Sequence, residues 1–173
     1  MKKTVFGFVL VFGIMAALSS CATTHRMVVD KNVPADRSAI VTFEGYIDRG
    51  FSYQAVVFLV KEHNNRNIYN DLYGNEKGLW GGSKTILTVP AGNNRFLFDA
   101  HFSYGYGSSV TLQEITNLEI SYDLEPGKKY IIAGSQKRTR FALQGGDYDL
   151  YVGIYDVTTG QKTLLREWKV GER

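Results

Sequence analysis

The sequence predicts an all-β fold, a single antiparallel β-sandwich or a small barrel. Three observations predict it. After residue 37, apolar residues recur at every second position over most of the chain, the period of a half-buried strand. Breaks rich in Gly, Pro and Asn separate these runs at short intervals. The composition is that of strands and turns: 11 Tyr, 10 Phe and 18 Gly, with three Pro, in 173 residues. Tyr, Phe, Val and Ile suit a pleated, half-buried surface. No stretch beyond the first twenty residues has a convincing helical pattern, although residues 110–117 are ambiguous.

Each element follows from local pattern. Ala39, Val41 and Phe43 alternate with Ile40, Thr42 and Glu44 in the first strand, and Asp48-Arg49-Gly50 is a turn signal. Ser52–Lys61 reads as a central strand apolar on both faces, as a strand covered on two sides should be, and His63-Asn64-Asn65 breaks it. Residues 66–83 are the least regular part and contain Tyr69, Tyr73 and Trp80. Lys84–Val89 is a strand ended by Pro90-Ala91-Gly92-Asn93, where Gly92 suits a left-handed position in a bulged hairpin. Arg95–Phe102 returns with Phe96, Phe98, Ala100 and Phe102 on one face, and Ser103–Ser109 is expected as a loop. Leu118, Ile120, Tyr122 and Leu124 alternate with Glu119, Ser121, Asp123 and Glu125. Glu125-Pro126-Gly127-Lys128 is a type II turn, with Gly127 supplying positive φ. Strands at Tyr130–Ser135, Arg138–Leu143, Asp147–Val157 and Lys162–Val170 complete eight or nine, with Thr158-Thr159-Gly160 turning between the last two.

Ahead of this domain stand Lys2 and Lys3, then a 14-residue apolar run from Val5 to Leu18 that ends in small residues and Cys21, the only cysteine. The run is short for a bilayer span, which wants roughly 20 apolar residues, and has the layout of a secretion signal. Leu18-Ser19-Ser20-Cys21 resembles the lipobox of bacterial lipoproteins. That resemblance implies cleavage before Cys21 and its acylation with chains such as palmitate. A non-acidic Ala22 after the cysteine implies sorting to the outer membrane. One acyl chain binds a bilayer only marginally, and two or more give stable anchoring. The expected organisation is a signal at 1–20, a lipidated polar tether at 21–36, and a β-sandwich at 37–173.

A second resemblance is carried by Lys31–Asp36, by Ile86–Gly92 with its aromatic return, and by Leu124–Ala133. These segments are similar to those of small lipoprotein domains of the transthyretin-like or PEGA-like sandwich type. The resemblance implies the sandwich and brings no catalytic residues.

Function classes narrow by exclusion. Removing residues 1–20 leaves 18 Lys+Arg against 17 Asp+Glu, with no basic stripe of the kind nucleic acid requires. The run Lys137-Arg138-Thr139-Arg140 reads as a solvated turn. Asp99 and His101 have the spacing of two metal ligands on one strand face, but no third ligand falls at sensible spacing. There is no G-x-S-x-G or S-x-x-K, Gly105-Tyr106-Gly107 lacks the context of a dinucleotide site, and Asp147 with Asp149 reads as the start of a strand. The expectation is a non-enzyme without cofactor or metal. It would be a structural or interaction module of the cell envelope facing the periplasm or exterior, held by Cys21 and contacting an envelope protein or a glycan. The alternative is a carbohydrate or peptide binder using Tyr69, Tyr73, Trp80, Tyr104 and Tyr106, aromatics outside the regular strand period. Two readings of them stay open: a shared exposed patch formed by Trp80, Tyr104 and Tyr106, or aromatics folded back over one end of the sandwich.

Overall fold

The computed structural model describes residues 24–49, 52–74, 84–106, 109–139 and 148–170. They form two packed sheets. The first contains β1 (Thr24–Val28), β2 (Ser38–Glu44), β6 (Lys84–Pro90), β9 (Lys129–Arg138), β10 (Tyr148–Asp156) and β11 (Thr163–Lys169), in the order β1-β6-β2-β9-β10-β11. The second contains β3 (Tyr46–Arg49), β4 (Ser52–His63), β7 (Gly92–Tyr106) and β8 (Ser109–Leu124), in that order, with the two-residue β5 (Arg66–Asn67) paired to β4. The sheets stay open and distinct, so the fold is a sandwich and not a barrel. Two parallel pairings, β1 with β6 and β2 with β9, interrupt an otherwise antiparallel arrangement.

Period-two patterning produces the core between the layers. Ala39, Val41 and Phe43 of β2, Val56, Phe58 and Val60 of β4, and Phe96, Phe98, Ala100 and Phe102 of β7 are all buried. Leu150, Val152 and Ile154 of β10 do the same from the first sheet. Phe43 sits edge-on to Phe58, Phe96 and Phe98 at 6.1, 5.6 and 5.3 Å between centroids, a favourable geometry for aromatic quadrupoles. A Cβ at Gly134 would fall 2.7 Å from Val56 Cγ1, so a glycine there lets the layers close. On the other side of β4, Ala55 is buried while Val57 and Leu59 are half-buried.

The structure corrects several expectations. Residues 24–28 are not a free tether. They pair in register with Lys84–Thr88, and His25 and Val29 are buried. The polar His25 at an inward position hid the alternation. The Pro90–Gly92 and Glu125–Lys128 turns do not close hairpins. Each is an arch that carries the chain from one sheet to the other, so their flanking strands do not pair with each other. Their glycines still need positive φ, +103° at Gly92 and +74° at Gly127, and the arches are tied down by Ala91 N–H to Arg37 O and Gly127 N–H to Ser38 O. Residues 103–106 and 109 extend β7 and β8 where a loop was expected. Inside the irregular stretch lies a five-residue helix, α1 (Tyr69–Tyr73). The end of the strand expected at Arg138–Leu143 falls outside the described residues.

Asn64 and Asn65, at φ +48° and +65°, make the two-residue turn between β4 and β5, as left-handed Asn pairs do. A β-bulge also bends each of the pairings β4–β7 and β7–β8. A Cβ at Gly92 or Gly127 would meet no neighbour within 4 Å, so the main cost of valine there is backbone strain. Each substitution should lower stability by roughly 1–2 kcal/mol in denaturant unfolding.

Candidate functional site

The polar groups singled out in the sequence are held by structural bonds. Asp99 lies at the β7–β8 bulge. Its Oδ1 is 2.7 Å from Lys61 Nζ and accepts the Asn117 N–H at 2.8 Å. Lys61 also donates to Asn117 Oδ1 at 3.1 Å, and Asn117 has φ +57°. The three side chains clamp the irregular strand positions, where β-bulges leave backbone groups unpaired. His101 Nε2 stands 3.9 Å from Glu114 Oε1. Among the described residues no group of three His, Cys, Asp or Glu is placed to hold a metal. Asp149 accepts from Tyr151 Oη at 3.4 Å and lies 3.3 Å from Lys169 Nζ. Asp147 lies outside the described residues.

His63 closes the arch end of β4. Asn94 Nδ2 donates to the carbonyls of Pro90 and Gly92 at 2.9 and 2.8 Å. This leaves Asn94 Oδ1 as acceptor for His63 Nε2–H at 2.6 Å. Both residues are buried. Burial pushes the His63 pKa below its ordinary value, against the Asn94 hydrogen bond, and the Arg66 charge adds to the lowering.

The expected aromatic site divides. Tyr73 belongs to the core, 3% exposed. Its Oη accepts the Val60 N–H at 3.1 Å and bonds Thr85 Oγ1 at 2.9 Å. Tyr69 packs edge-on against it at 5.0 Å, and His25 at 4.9 Å. His25 Nδ1 also bonds Leu72 O at 3.2 Å. α1 therefore covers the β1 edge of the sandwich, and Tyr73 is removed from any binding surface by its burial. Tyr104 and Tyr106 lie on β7 opposite Gln54 and Ser52. Phe98 pairs with Val60, so Tyr104 is six residues, about 20 Å of strand, beyond the level of the Tyr73 bond. Tyr73 and the β7 tyrosines thus belong to different regions of the molecule. Trp80 lies outside the described residues.

Two open grooves were not foreseen. One, of about 830 Å³, runs past Arg26, Val28, Lys31, His63, Arg66 and Asp71. Arg66 spans it, donating to Val29 O at 3.1 Å and Asp71 Oδ2 at 3.3 Å. The other, of about 530 Å³, opens where the chain leaves the first sheet at Gly45 and becomes β3. It is lined by Glu44, Gln54, Ser135, Gln136, Tyr155 and Lys162. β9 pairs with β2 only through Ala133, and residues 134–138 pair with β10 alone. The Tyr155 ring lies against Gly153, its nearest atom 2.9 Å from where a Cβ would stand, and Lys162 Nζ sits 4.4 Å over that ring. Gln136 Nε2 donates to Ala55 O and Ser103 O, both at 3.4 Å. Its Oε1 is buried without a hydrogen-bond partner among the described residues. An isolated glycine within the Leu150–Tyr155 strand was the available signal, since such glycines mark close approach of other groups.

Compared with protein-family models, with curated proteins and with solved structures, the chain matches none. The chemistry of the second groove is that of contact: an aromatic ring, an ammonium, a carboxylate and two carboxamides able to hydrogen-bond a polar ligand.

The His63 clamp gives a pH dependence. Its folded pKa lies below the unfolded value near 6.5, so the unfolded chain takes up protons first. Stability is fully present above pH 6.5 and falls as pH drops from there toward the folded pKa. Asp156, held at about 2 by hydrogen bonds from Thr158 and by Lys128, acts in a separate window below 3.8. Denaturant midpoints should therefore decline on acidification through pH 6, and His63→Gln should flatten that decline.

Proposed function

We propose that this chain is a lipid-anchored protein of the cell envelope, carried on the outer membrane, that works by contact and not by catalysis. The observation that carries the reading is Leu18-Ser19-Ser20-Cys21 closing a 14-residue apolar run. Among the described residues no helix is long and apolar enough to cross a membrane; on this reading the cysteine is the attachment. In support of a contact role, Asp99 and His63 are engaged in holding a bulge and an arch. On this reading the domain is kin to the transthyretin-like or PEGA-like lipoprotein sandwiches that its arch segments resemble.

A second reading, a binder of glycans or peptides, is favoured by the groove beside Tyr155. Its ring, Gln54 and the buried Gln136 Oε1 offer stacking and hydrogen bonding in one place. A partner would be retained by the outer face of the domain, with Cys21 supplying location only.

The anchor is tested by Cys21→Ala. The full-length chain should incorporate a labelled fatty acid and partition into detergent, and the variant should lose both properties while its domain unfolds as before. Retention of the variant in the detergent phase would overturn the assignment.

A further inference from the structure

The pairing of β1 leaves very little chain between Cys21 and the fold. Only Ala22 and Thr23 intervene before Thr24. Consecutive Cα atoms lie about 3.8 Å apart, so Cys21 is at most about 11 Å from Thr24, Cα to Cα. Thr24 is level with Lys84, Glu44 and Ala133 across the first sheet. Other strands run well past that row. β9 continues five residues to Arg138, opposite Tyr148. In the second sheet, Tyr46, Val56, Phe102 and Gln113 form the next row. From it the β7–β8 hairpin continues four residues, to Tyr106 and Ser109. At roughly 3.3 Å per residue these projections are about 13–17 Å long. The strands overrun any position that Cys21 can take.

The projecting strands carry Tyr53, Tyr104, Tyr106 and Tyr148, with Arg49, Lys137 and Arg138 among them. Leu112, opposite Ser103 near the end of the β7–β8 hairpin, is 77% exposed, the most exposed large apolar side chain among the described residues. Tyrosine and long basic side chains are the residues enriched where a bilayer meets water.

We infer that the projecting end, with Leu112 and the ends of β3–β4, β7–β8 and β9–β10, rests in the lipid headgroup layer of the membrane that holds Cys21. The inference rests on the acylation of Cys21 proposed above. An acylated cysteine sits at the boundary between headgroups and acyl chains. The strands that extend past it then lie against that layer, and the arch end points away into the aqueous space. The domain is held flush and in one orientation.

The test uses the full-length acylated protein in vesicles of phosphatidylethanolamine and phosphatidylglycerol, some bearing a nitroxide at the headgroup. A fluorophore is attached through Leu112→Cys in one preparation and through Thr159→Cys, in the β10–β11 turn, in another. Both sites are exposed, and unfolding curves check that each variant keeps the fold. The Leu112 probe should be quenched severalfold more than the Thr159 probe. Inserting about twelve Gly and Ser residues after Thr23 adds roughly 20 Å of reach and should weaken that difference. Equal, weak quenching at both sites on an acylated, vesicle-bound protein overturns the orientation and leaves the anchor standing. A Leu112 probe shielded from both the lipid nitroxide and aqueous iodide also overturns it, in favour of a protein covering that end. Absence of acyl label on Cys21 overturns the anchor and this inference together.

Discussion

The fold depends on apolar contact between its two sheets. Cys21 is the only cysteine in the chain, so no internal disulfide ties the layers together. Phe43 of the first sheet meets Phe58, Phe96 and Phe98 of the second across that seam, each at most 2% exposed, and burial of one such side chain contributes roughly 1.5–3 kcal/mol. The rest of the architecture serves this contact. Gly134 lets the layers approach Val56. The bulges in the long second-sheet strands keep their inward faces on the core, and Asp99 with Lys61 and Asn117 fixes one of them. Replacing the Asp99 carboxylate would leave the Asn117 N–H short of an acceptor, and such losses cost about 1–3 kcal/mol.

The edge of the first sheet has a different logic. An exposed edge strand invites pairing with another chain, and β6 would be such an edge without β1. β1 covers it, and α1 packs against β1 through His25 and Tyr73. The same act that closes the edge shortens the arm to Cys21. If Cys21 is acylated as proposed, one five-residue strand links stability to position at the membrane, since a longer tether would let the domain turn freely above a bilayer.

Much of the fold was legible in the sequence because alternation is a direct reading of which face is wet. Ala39, Val41 and Phe43, and Phe96 through Phe102, fall inward as their period requires. The left-handed glycines at 92 and 127 were legible from turn chemistry, but turn chemistry does not state which sheet the next strand joins. The arches were therefore misread as hairpins. β1 was missed because its inward residues include His25, whose burial is made tolerable by the Leu72 carbonyl 47 residues away, a partner no local window contains. Tyr73 was misplaced for a related reason: a helix of five residues is too short to show a period. The Tyr155 groove arises where β2 leaves one sheet for the other, a property of topology that only the assembled fold displays.

Amide hydrogen exchange of the full-length chain tests the role of β1 most directly. Amides of β1 that bond to β6 should be protected far above the rates of an unstructured peptide, and should lose protection together with those of β2 when Phe43→Ala weakens the seam. Exchange of Thr24–Val28 at free-peptide rates, with β2 and β7 still protected, would contradict it: those residues would be a tether after all, and the proposed orientation at a membrane would lose its short arm.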